Sequence, residues 1–284
     1  MQGTTTSAPV ASKDTQPNYE GKHSSRVMIV DDNATNLKLA SLLIAPYGVQ
    51  IGFAKNGIEA IQRVQERAYD VVFMDHIMPE MDGVQAAAAI HALDGDRYRD
   101  LPIIAMTAGT EVENREWFLQ RGFQDFIAKP MGKKELAEVM NHWVARETPD
   151  IGSEVSEKPG EVLDGQLPIK GLNVERGLFL IGGNWKEYRE ILSLYCASVD
   201  AYRISFSKAI SSEDLCDFSI RIHALKSSSA YIGAAQLSNE ASVLDKAGRE
   251  GDLETIQKNK AHFDAELFEL VSSIREMLLS DWEK

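Results

Sequence analysis

The sequence is poor in cysteine, and this shortage excludes two common ways of stabilising a chain. Cys196 and Cys216 are the only cysteines among 284 residues, and they lack a CxxC spacing. They therefore indicate neither a disulfide framework nor a cysteine metal site. We interpret both as small core residues of a protein kept in a reducing compartment.

Long hydrophobic runs and an excess of positive charge are also missing. No apolar run approaches the roughly 18 residues that a membrane-spanning helix needs, and the N-terminus lacks the apolar segment of a signal peptide. The formal net charge is −13, whereas binding to a nucleic-acid backbone depends on clustered Lys and Arg. We therefore expect a cytoplasmic protein with no membrane segment and no nucleic-acid partner.

Two segments have the composition of tails or linkers. Residues 1–25 are polar and rich in Ser, Thr and Pro, which predicts a disordered tail or linker. Residues 147–170 combine proline, glycine and acidic residues with little periodicity, which predicts a second linker. The sequence thus predicts one domain over residues 26–146 and another over residues 171–284.

The first predicted domain alternates strand-like and helix-like segments. Short apolar runs occur at residues 26–30, 49–54, 70–75, 101–107 and 124–128. Amphipathic stretches lie between and after them, near residues 34–45, 56–67, 83–94, 110–121 and 132–146. Asp82 is a plausible N-cap, and Pro46-Tyr47-Gly48 should end the first helix. Strand–helix alternation predicts an α/β domain with a parallel sheet covered on both faces.

The second predicted domain has only the helical period. Apolar residues recur every three or four positions in four stretches, of which Phe218, Ile222 and Leu225 are one example. This pattern predicts an antiparallel helical bundle. Gly233 and Gly248 are expected to end two of its helices.

Polar residues stand where the strands of the first domain end. Asp31 and Asp32 follow the first strand, Asp75 ends the third, Thr107 ends the fourth and Lys129 follows the fifth. Because parallel strands end at one edge of a sheet, these side chains should converge. Clustered carboxylates suit Mg²⁺, and a carboxylate beside Mg²⁺ is a nucleophile toward phosphorus. Lys129 would supply a cation and Thr107 a hydroxyl to the transferring group.

The same motifs resemble a response-regulator receiver domain. They are the DD at 31–32, the Asp75 of FMDHIMPEMDG, the Thr107 of AMTA and the KP at 129–130. The resemblance implies a flavodoxin-like fold with a five-stranded parallel sheet, with Asp75 as the phosphoacceptor. It also implies a cis bond before Pro130.

The resemblance further assigns metal ligands and a switch pair. It implies that Asp32, Asp75 and the backbone carbonyl of Ile77 bind Mg²⁺, while Asp31 supports the ion through water. Thr107 and Phe126 occupy the positions of the family's switch pair, which rearranges on phosphorylation.

One histidine stands out in the helical half of the chain. His223 should share a helix face with Lys226 and small residues, next to an apolar stripe, and we expect its ring to be exposed. Imidazole is a covalent nucleophile that titrates near neutral pH. The HxLK motif, the small residues after it and Gly233 resemble a histidine phosphotransfer (HPt) domain. That resemblance implies a four-helix bundle, phosphorylation at His223 and assistance from Lys226. The other five histidines carry no such context, and His76 is expected to turn away from Asp75.

Three functions are compatible with these patterns. The first is a phosphorelay in which Asp75 accepts a phosphoryl group and His223 transfers it to or from a receiver aspartate. The expected partners are a sensor histidine kinase and other receiver or HPt domains. The second is the C-terminal part of a hybrid sensor kinase, and the third is a binding module controlled by phosphorylation. We find no ATP-binding glycine-rich motif, so any catalysis is expected to be that of a self-catalysed phosphoacceptor.

Overall fold

The structure is a computed structural model that describes residues 25–108, 115–144, 169–206 and 215–280. Nearly all of the two predicted linker segments, residues 1–25 and 147–170, therefore lies outside the described residues. The domain boundaries that they imply remain predictions.

The N-terminal part alternates strands and helices as the sequence predicts. Its strands are β1 (Arg26–Val30), β2 (Gln50–Ala54), β3 (Val71–Asp75), β4 (Ile103–Thr107) and β5 (Asp125–Ala128). Its helices are α1 (Ala34–Ile44), α2 (Gly57–Glu66), α3 (Gly83–His91), α4 (Asp96–Arg99), α5 (Arg115–Leu119) and α6 (Lys133–Trp143). The short helix α4 was not predicted, because four residues are too few to show a helical period.

The five strands form one parallel sheet in the order β2-β1-β3-β4-β5. All five residues of β3 and of β4 are buried, as expected for central strands covered on both faces. Successive side chains of a strand point to opposite faces. Phe73 therefore packs on the face that α1 and α6 cover, whereas Val72 and Met74 pack with α2, α3 and Phe118.

Local signals fix the helix ends that position the loops at the carboxyl edge of the sheet. As predicted, Asp82 caps α3 by accepting a hydrogen bond from the Gln85 amide. Asn33, which was not predicted as a cap, accepts a hydrogen bond from the Thr35 amide at the start of α1. A 3-10 turn over Ala45–Tyr47 follows α1, and Gly48 ends it with a positive φ of 68°. The prediction that Pro46-Tyr47-Gly48 ends the first helix is therefore confirmed.

The C-terminal part consists of helices joined by short turns over its described residues. It contains α7 (Val174–Leu180), α8 (Trp185–Phe206), α9 (Leu215–Ile232), α10 (Ala235–Glu250) and α11 (Leu253–Leu279). The four long helices pack in a closed ring, since α8 contacts α9, α9 contacts α10, α10 contacts α11 and α11 returns to α8. The predicted apolar stripe of α9 lies inside this ring, with Phe218, Ile222 and Leu225 buried. We call α7 to α11 the helical region.

Two sequence predictions about the helical region were wrong. Gly233 ends α9 with a φ of 90°, as expected, but Gly248 lies inside α10, which instead ends at Gly251 with a φ of 74°. A side chain at Gly248 would overlap the Ser219 hydroxyl, so this glycine permits close packing of α9 and α10. Cys216 is exposed rather than part of the core, whereas Cys196 is buried.

The helical region packs against the sheet domain through α1. Helix α1 contacts both α8 and α9. The Met131 amide donates a hydrogen bond of 2.9 Å to the Tyr231 hydroxyl, and the Asn33 side-chain amide donates one of 3.5 Å to the Tyr202 hydroxyl. The loops at the carboxyl edge of the sheet therefore face the helical region. None of the described helices is long and apolar enough to cross a membrane.

Candidate functional site

The structure brings four of the predicted strand-end residues into one buried group. The Lys129 ammonium lies 2.6 Å from Asp31 Oδ2 and 2.6 Å from Asp75 Oδ2. Carboxylate oxygens of Asp31, Asp32 and Asp75 all lie within 4.8 Å of one another. The convergence at one edge of the sheet follows from parallel strands that end together. The bond between Lys129 and Pro130 is cis, as predicted.

Burial and mutual repulsion dominate the electrostatics of this acidic group. Burial raises the pKa of Asp31 to about 6, although the nearby Lys129 charge opposes the shift. Burial and the charges of Asp31 and Asp75 raise the pKa of Asp32 well above its ordinary value. Burial also acts to raise the pKa of Asp75, but Lys129, His76 and His223 together outweigh it and hold that pKa below its ordinary value. Asp75 is thus the carboxyl of the group that stays ionised most readily.

The three carboxylates also fit the requirements of a hard divalent cation. Three acidic side chains near a single lysine leave negative charge in excess, and oxygen ligands suit Mg²⁺. The buried Oδ1 atom of Asp32 has no hydrogen-bond partner among the described residues. Such an orphaned carboxylate oxygen is a suitable ligand atom, because its desolvation is otherwise uncompensated. The Ile77 amide donates a 3.3 Å hydrogen bond to Asp75 Oδ1, which holds the loop after β3 close to this group.

Thr107 and Phe126 lie on neighbouring strands but face different surroundings. Thr107 is fully buried, and its hydroxyl has no partner within the described ranges. Its carbonyl accepts a 2.6 Å hydrogen bond from the Lys129 amide, so it stands at the edge of the acidic group. Phe126 is half-buried and stacks on Phe118 with ring centroids 6.2 Å apart. Their role as a switch pair remains a prediction.

The expectation that His223 is exposed was wrong. Only 1% of its surface is exposed, because its face of α9 is covered by the carboxyl edge of the sheet. Its ring lies edge-to-face against the His76 ring, with centroids 5.5 Å apart. Burial lowers the pKa of His223, against the opposing effects of Asp245 and Asp75. The imidazole is therefore neutral at neutral pH.

Asp245, which was not among the predicted site residues, orients the His223 ring. Its Oδ2 atom lies 3.1 Å from His223 Nδ1 and accepts a 2.6 Å hydrogen bond from the Lys226 ammonium. Burial tends to raise the pKa of Asp245, but His223 and Lys226 lower it to about 2. A signal was present in the sequence, since Leu237, Ala241 and Asp245 follow a four-residue spacing that puts an acid on a buried helix face.

Lys226 lies beside His223, as predicted, but it is buried and paired with Asp245 rather than free in solvent. The buried Nε2 atom of His223 has no hydrogen-bond partner within the described part of the chain. Since Nδ1 bonds Asp245, the unpaired nitrogen is the one available for chemistry.

His76 was expected to turn away from Asp75, and this was wrong. Its Nδ1 atom lies 3.6 Å from Asp75 Oδ1 and 3.2 Å from the Met106 carbonyl oxygen. The side chain is buried between Phe118 and His223. One nitrogen or oxygen atom from each of Asp75, His76 and His223 lies within 4.8 Å of the others. The candidate phosphoacceptors of the two parts of the chain are therefore neighbours.

Known proteins resemble this chain at the level of sequence and of structure. Residues 27–141 match the family described as the response regulator receiver domain. Sensor protein GacS of Pseudomonas syringae pv. syringae is 34% identical over 213 residues, which are 75% of this chain and 23% of that protein. Signal transduction histidine-protein kinase BarA of Shigella flexneri is 27% identical over 242 residues, which are 83% of this chain and 25% of that protein.

The chain thus spans about a quarter of the length of these two relatives. Among solved structures, one similar chain is the receiver domain of a sensor histidine kinase from Pseudomonas aeruginosa, crystallised with a magnesium ion coordinated in its active site cleft. It is 31% identical, covers 42% of this chain and 97% of its own, and superposes with a TM-score of 0.39.

Proposed function

Because residues 27–141 are a response regulator receiver domain, we propose that the chain is a two-component phosphorelay protein that moves a phosphoryl group between Asp75 and His223. The observation that supports this proposal is a distance: a carboxylate oxygen of Asp75 and a ring nitrogen of His223 lie within 4.8 Å of each other. In a near-attack geometry the attacking nitrogen lies ~3–3.5 Å from phosphorus. The bond from phosphorus to the departing Asp75 oxygen adds to this distance. One phosphorus atom can therefore bridge the two side chains.

Asp75 is the proposed phosphoacceptor of the receiver domain. Its pKa is held below the ordinary value, so its carboxylate is ionised and ready to attack phosphorus. We propose that Asp31, Asp32, Asp75 and the Ile77 carbonyl hold Mg²⁺, which would supply positive charge against the phosphoryl oxygens. Lys129 contributes a fixed cation at the same edge, and the buried Thr107 hydroxyl offers a hydrogen-bond donor.

His223 is the proposed second phosphoacceptor. In the transfer, the lone pair of His223 Nε2 attacks phosphorus, the phosphorus–oxygen bond to Asp75 breaks, and its electron pair returns to the carboxylate. The attacked imidazole gains positive charge while its Nδ1 proton faces Asp245. That carboxylate stabilises the charge as it develops, and no proton has to leave the ring.

The helical region is proposed to be an HPt domain over residues 171–284, joined to the receiver by the linker at 147–170. The closed ring of four long helices is compatible with the four-helix bundle of that family. The HxLK motif places Lys226 beside the reactive histidine, where it also neutralises Asp245. Ser227 stands after the motif, and its small side chain is buried.

The proposed partners are a sensor histidine kinase that phosphorylates Asp75, and a further receiver domain that exchanges the group with His223. Relatives whose names are those of sensor kinases favour the alternative that the chain corresponds to the C-terminal part of a hybrid kinase. His223 is buried by the receiver domain of its own chain. Exchange with another receiver therefore requires the helical region to separate from the carboxyl edge of the sheet.

The chemical stability of the bound phosphoryl group, used as a label, tests the proposed transfer between Asp75 and His223. The full chain is incubated with Mg²⁺ and acetyl phosphate. An open cleft lined by His76, Trp117 and Asp245 lies beside the site. Acyl phosphates are lost in base, whereas phosphohistidine survives base and is lost in acid. We expect a base-stable label in the wild type, a base-labile label in His223→Gln and none in Asp75→Ala.

A base-labile label in the wild type would overturn the relay and leave a receiver that does not transfer to its own helical region. A base-stable label that persists in Asp75→Ala would mean that His223 is modified directly. A label in His223→Gln also proves that this variant retains a folded receiver domain. The third alternative, a binding module, predicts that the base-stable label never forms.

A further inference from the structure

Asp75, His76 and His223 form a cluster of three ligand groups that differs in chemistry from the acidic group. One oxygen or nitrogen atom of each residue lies within 4.8 Å of the others, and all three side chains are buried. The acidic group offers only oxygen atoms, whereas this cluster offers two imidazoles and one carboxylate. Such mixed sets are the usual ligands of Zn²⁺ in sites that keep one position open.

The His223 imidazole already has the outer partner that a metal-bound histidine requires, since its Nδ1 atom lies 3.1 Å from the Asp245 carboxylate. The His76 ring faces the cluster through Nδ1, which lies 3.6 Å from Asp75 Oδ1 and 3.2 Å from the Met106 carbonyl oxygen. A carboxylate or a backbone carbonyl on one ring nitrogen fixes the tautomer and makes the other nitrogen a better ligand. The His223 ring in particular is held with Nε2 as its electron-pair donor.

An independent observation indicates that a ligand can bind at the same place. His223 Nε2 is fully buried and lacks a hydrogen-bond partner among the residues that the structure describes. An unpaired buried nitrogen costs free energy unless something binds it. A ring nitrogen of His223 lies within 4.8 Å of ligand atoms of both Asp75 and His76. A cation bound by all three groups would satisfy the orphaned atom.

We propose that Asp75, His76 and His223 form a site for a divalent transition metal, Zn²⁺ in particular, which joins the receiver domain to the helical region. Nitrogen ligands favour Zn²⁺, whereas Mg²⁺ is bound by oxygen atoms and keeps most of its water. Asp75 belongs to both clusters, so the two metals compete for one carboxylate. Zn²⁺ at this site occupies both phosphoacceptors at once and holds the two parts of the chain together.

Zinc binding can be measured without any phosphorylation, so this inference does not depend on the proposed relay. The full chain is titrated with Zn²⁺ in competition with a chromophoric chelator, in the wild type and in His76→Gln and His223→Gln. His262→Gln is the matched control, because its imidazole is largely exposed and lies outside the cluster. Glutamine keeps a polar side chain of similar length, and thermal unfolding checks that each variant is folded.

We expect one tightly bound Zn²⁺ per wild-type chain and an unchanged affinity in His262→Gln. The Zn²⁺ affinity of His76→Gln and of His223→Gln should fall by at least about 100-fold, since even the loss of an outer partner weakens metal binding by ~10–100-fold. Bound Zn²⁺ should also raise the thermal midpoint of the wild type, because it binds only the folded state. Absence of tight binding, or equal affinity in all three variants, would overturn the proposal.

A second measurement connects the site to Asp75. Zn²⁺ added before acetyl phosphate and Mg²⁺ should suppress labelling of Asp75 in the wild type, and a chelator should restore it. In His76→Gln the same Zn²⁺ concentration should leave labelling unchanged. Suppression of equal size in both proteins would contradict a site built from His76. Failure of all labelling would count against the proposed relay and not against the zinc titration.

Discussion

Replacing Asp245 by Asn should slow transfer to His223 and destabilise the helical region. The substitution keeps the size of the side chain but removes the charge that faces His223 Nδ1 and the Lys226 ammonium. Both the Asp245 and Lys226 side chains are buried, so the lysine would be left without its counter-ion. A hydrogen bond to a charged group contributes ~1.5–3 kcal/mol. If that bond is lost in the transition state, transfer should slow by about 10- to 150-fold.

The pH dependence of stability gives this prediction a second, independent measure. The pKa of Asp245 is lowered from its ordinary 3.8 to about 2 in the folded protein. Because the unfolded chain takes up the proton first, the stabilisation by this group is complete above about pH 4 and is lost as the pH falls toward 2. A shift of this size is worth about 2 kcal/mol. The difference in unfolding free energy between wild type and Asp245→Asn should therefore shrink by that amount between pH 5 and pH 2.

Transfer is followed as the base-stable label formed after Mg²⁺ and acetyl phosphate are added, and stability is followed by urea unfolding. Asp217→Asn is the matched control, since Asp217 is exposed and forms a surface ion pair with Arg221. Such a pair contributes ~0–1 kcal/mol, so the control should transfer at the wild-type rate. A wild-type transfer rate in Asp245→Asn, with a pH-independent stability difference, would refute the orienting role of Asp245.

Three further perturbations test the packing around the site. Gly83→Ala should destabilise the receiver domain by ~1–3 kcal/mol and slow labelling, because its new side chain would overlap the Asp75 carbonyl oxygen; wild-type stability in urea would contradict this. Tyr231→Phe removes the hydrogen-bond acceptor of the Met131 amide, which should lower the unfolding free energy by ~1–3 kcal/mol. The variant should also slow transfer to His223, while labelling of Asp75 itself, measured where transfer is blocked, should not change. Lys129→Met removes the cation between two buried carboxylates, so unfolding free energy measured without Mg²⁺ should fall by ~3–5 kcal/mol, and added Mg²⁺ should recover part of it.

The receiver fold and its acidic group were predictable because their signals are local. Each strand is a short apolar run, and the residue that matters stands directly after it, as Asp75 does after Val71 to Met74. Parallel strands then bring those residues to one edge without any further information. The capping role of Asp82 was predictable for the same reason, since a cap depends only on the next three residues.

The surroundings of His223 could not be predicted in this way. Its burial and the orientation of His76 arise where two parts of the chain meet, and no periodicity within either part describes that contact. Asp245 contacts His223 across two helices that are adjacent in the ring, so its role depends on their packing. Gly248 shows a related ambiguity, because a glycine permits close helix packing as readily as it ends a helix.

Dependence of the transfer rate on protein concentration tests most directly whether Asp75 passes its phosphoryl group to His223 of the same chain. The base-stable label is followed over time in the wild type across a dilution series, and in a mixture of Asp75→Ala with His223→Gln. The neighbouring positions of the two residues predict a first-order rate that does not change on dilution, with little base-stable label in the mixture. A rate that falls with dilution, or a mixture that forms the base-stable label as fast as the wild type, would contradict transfer within one chain.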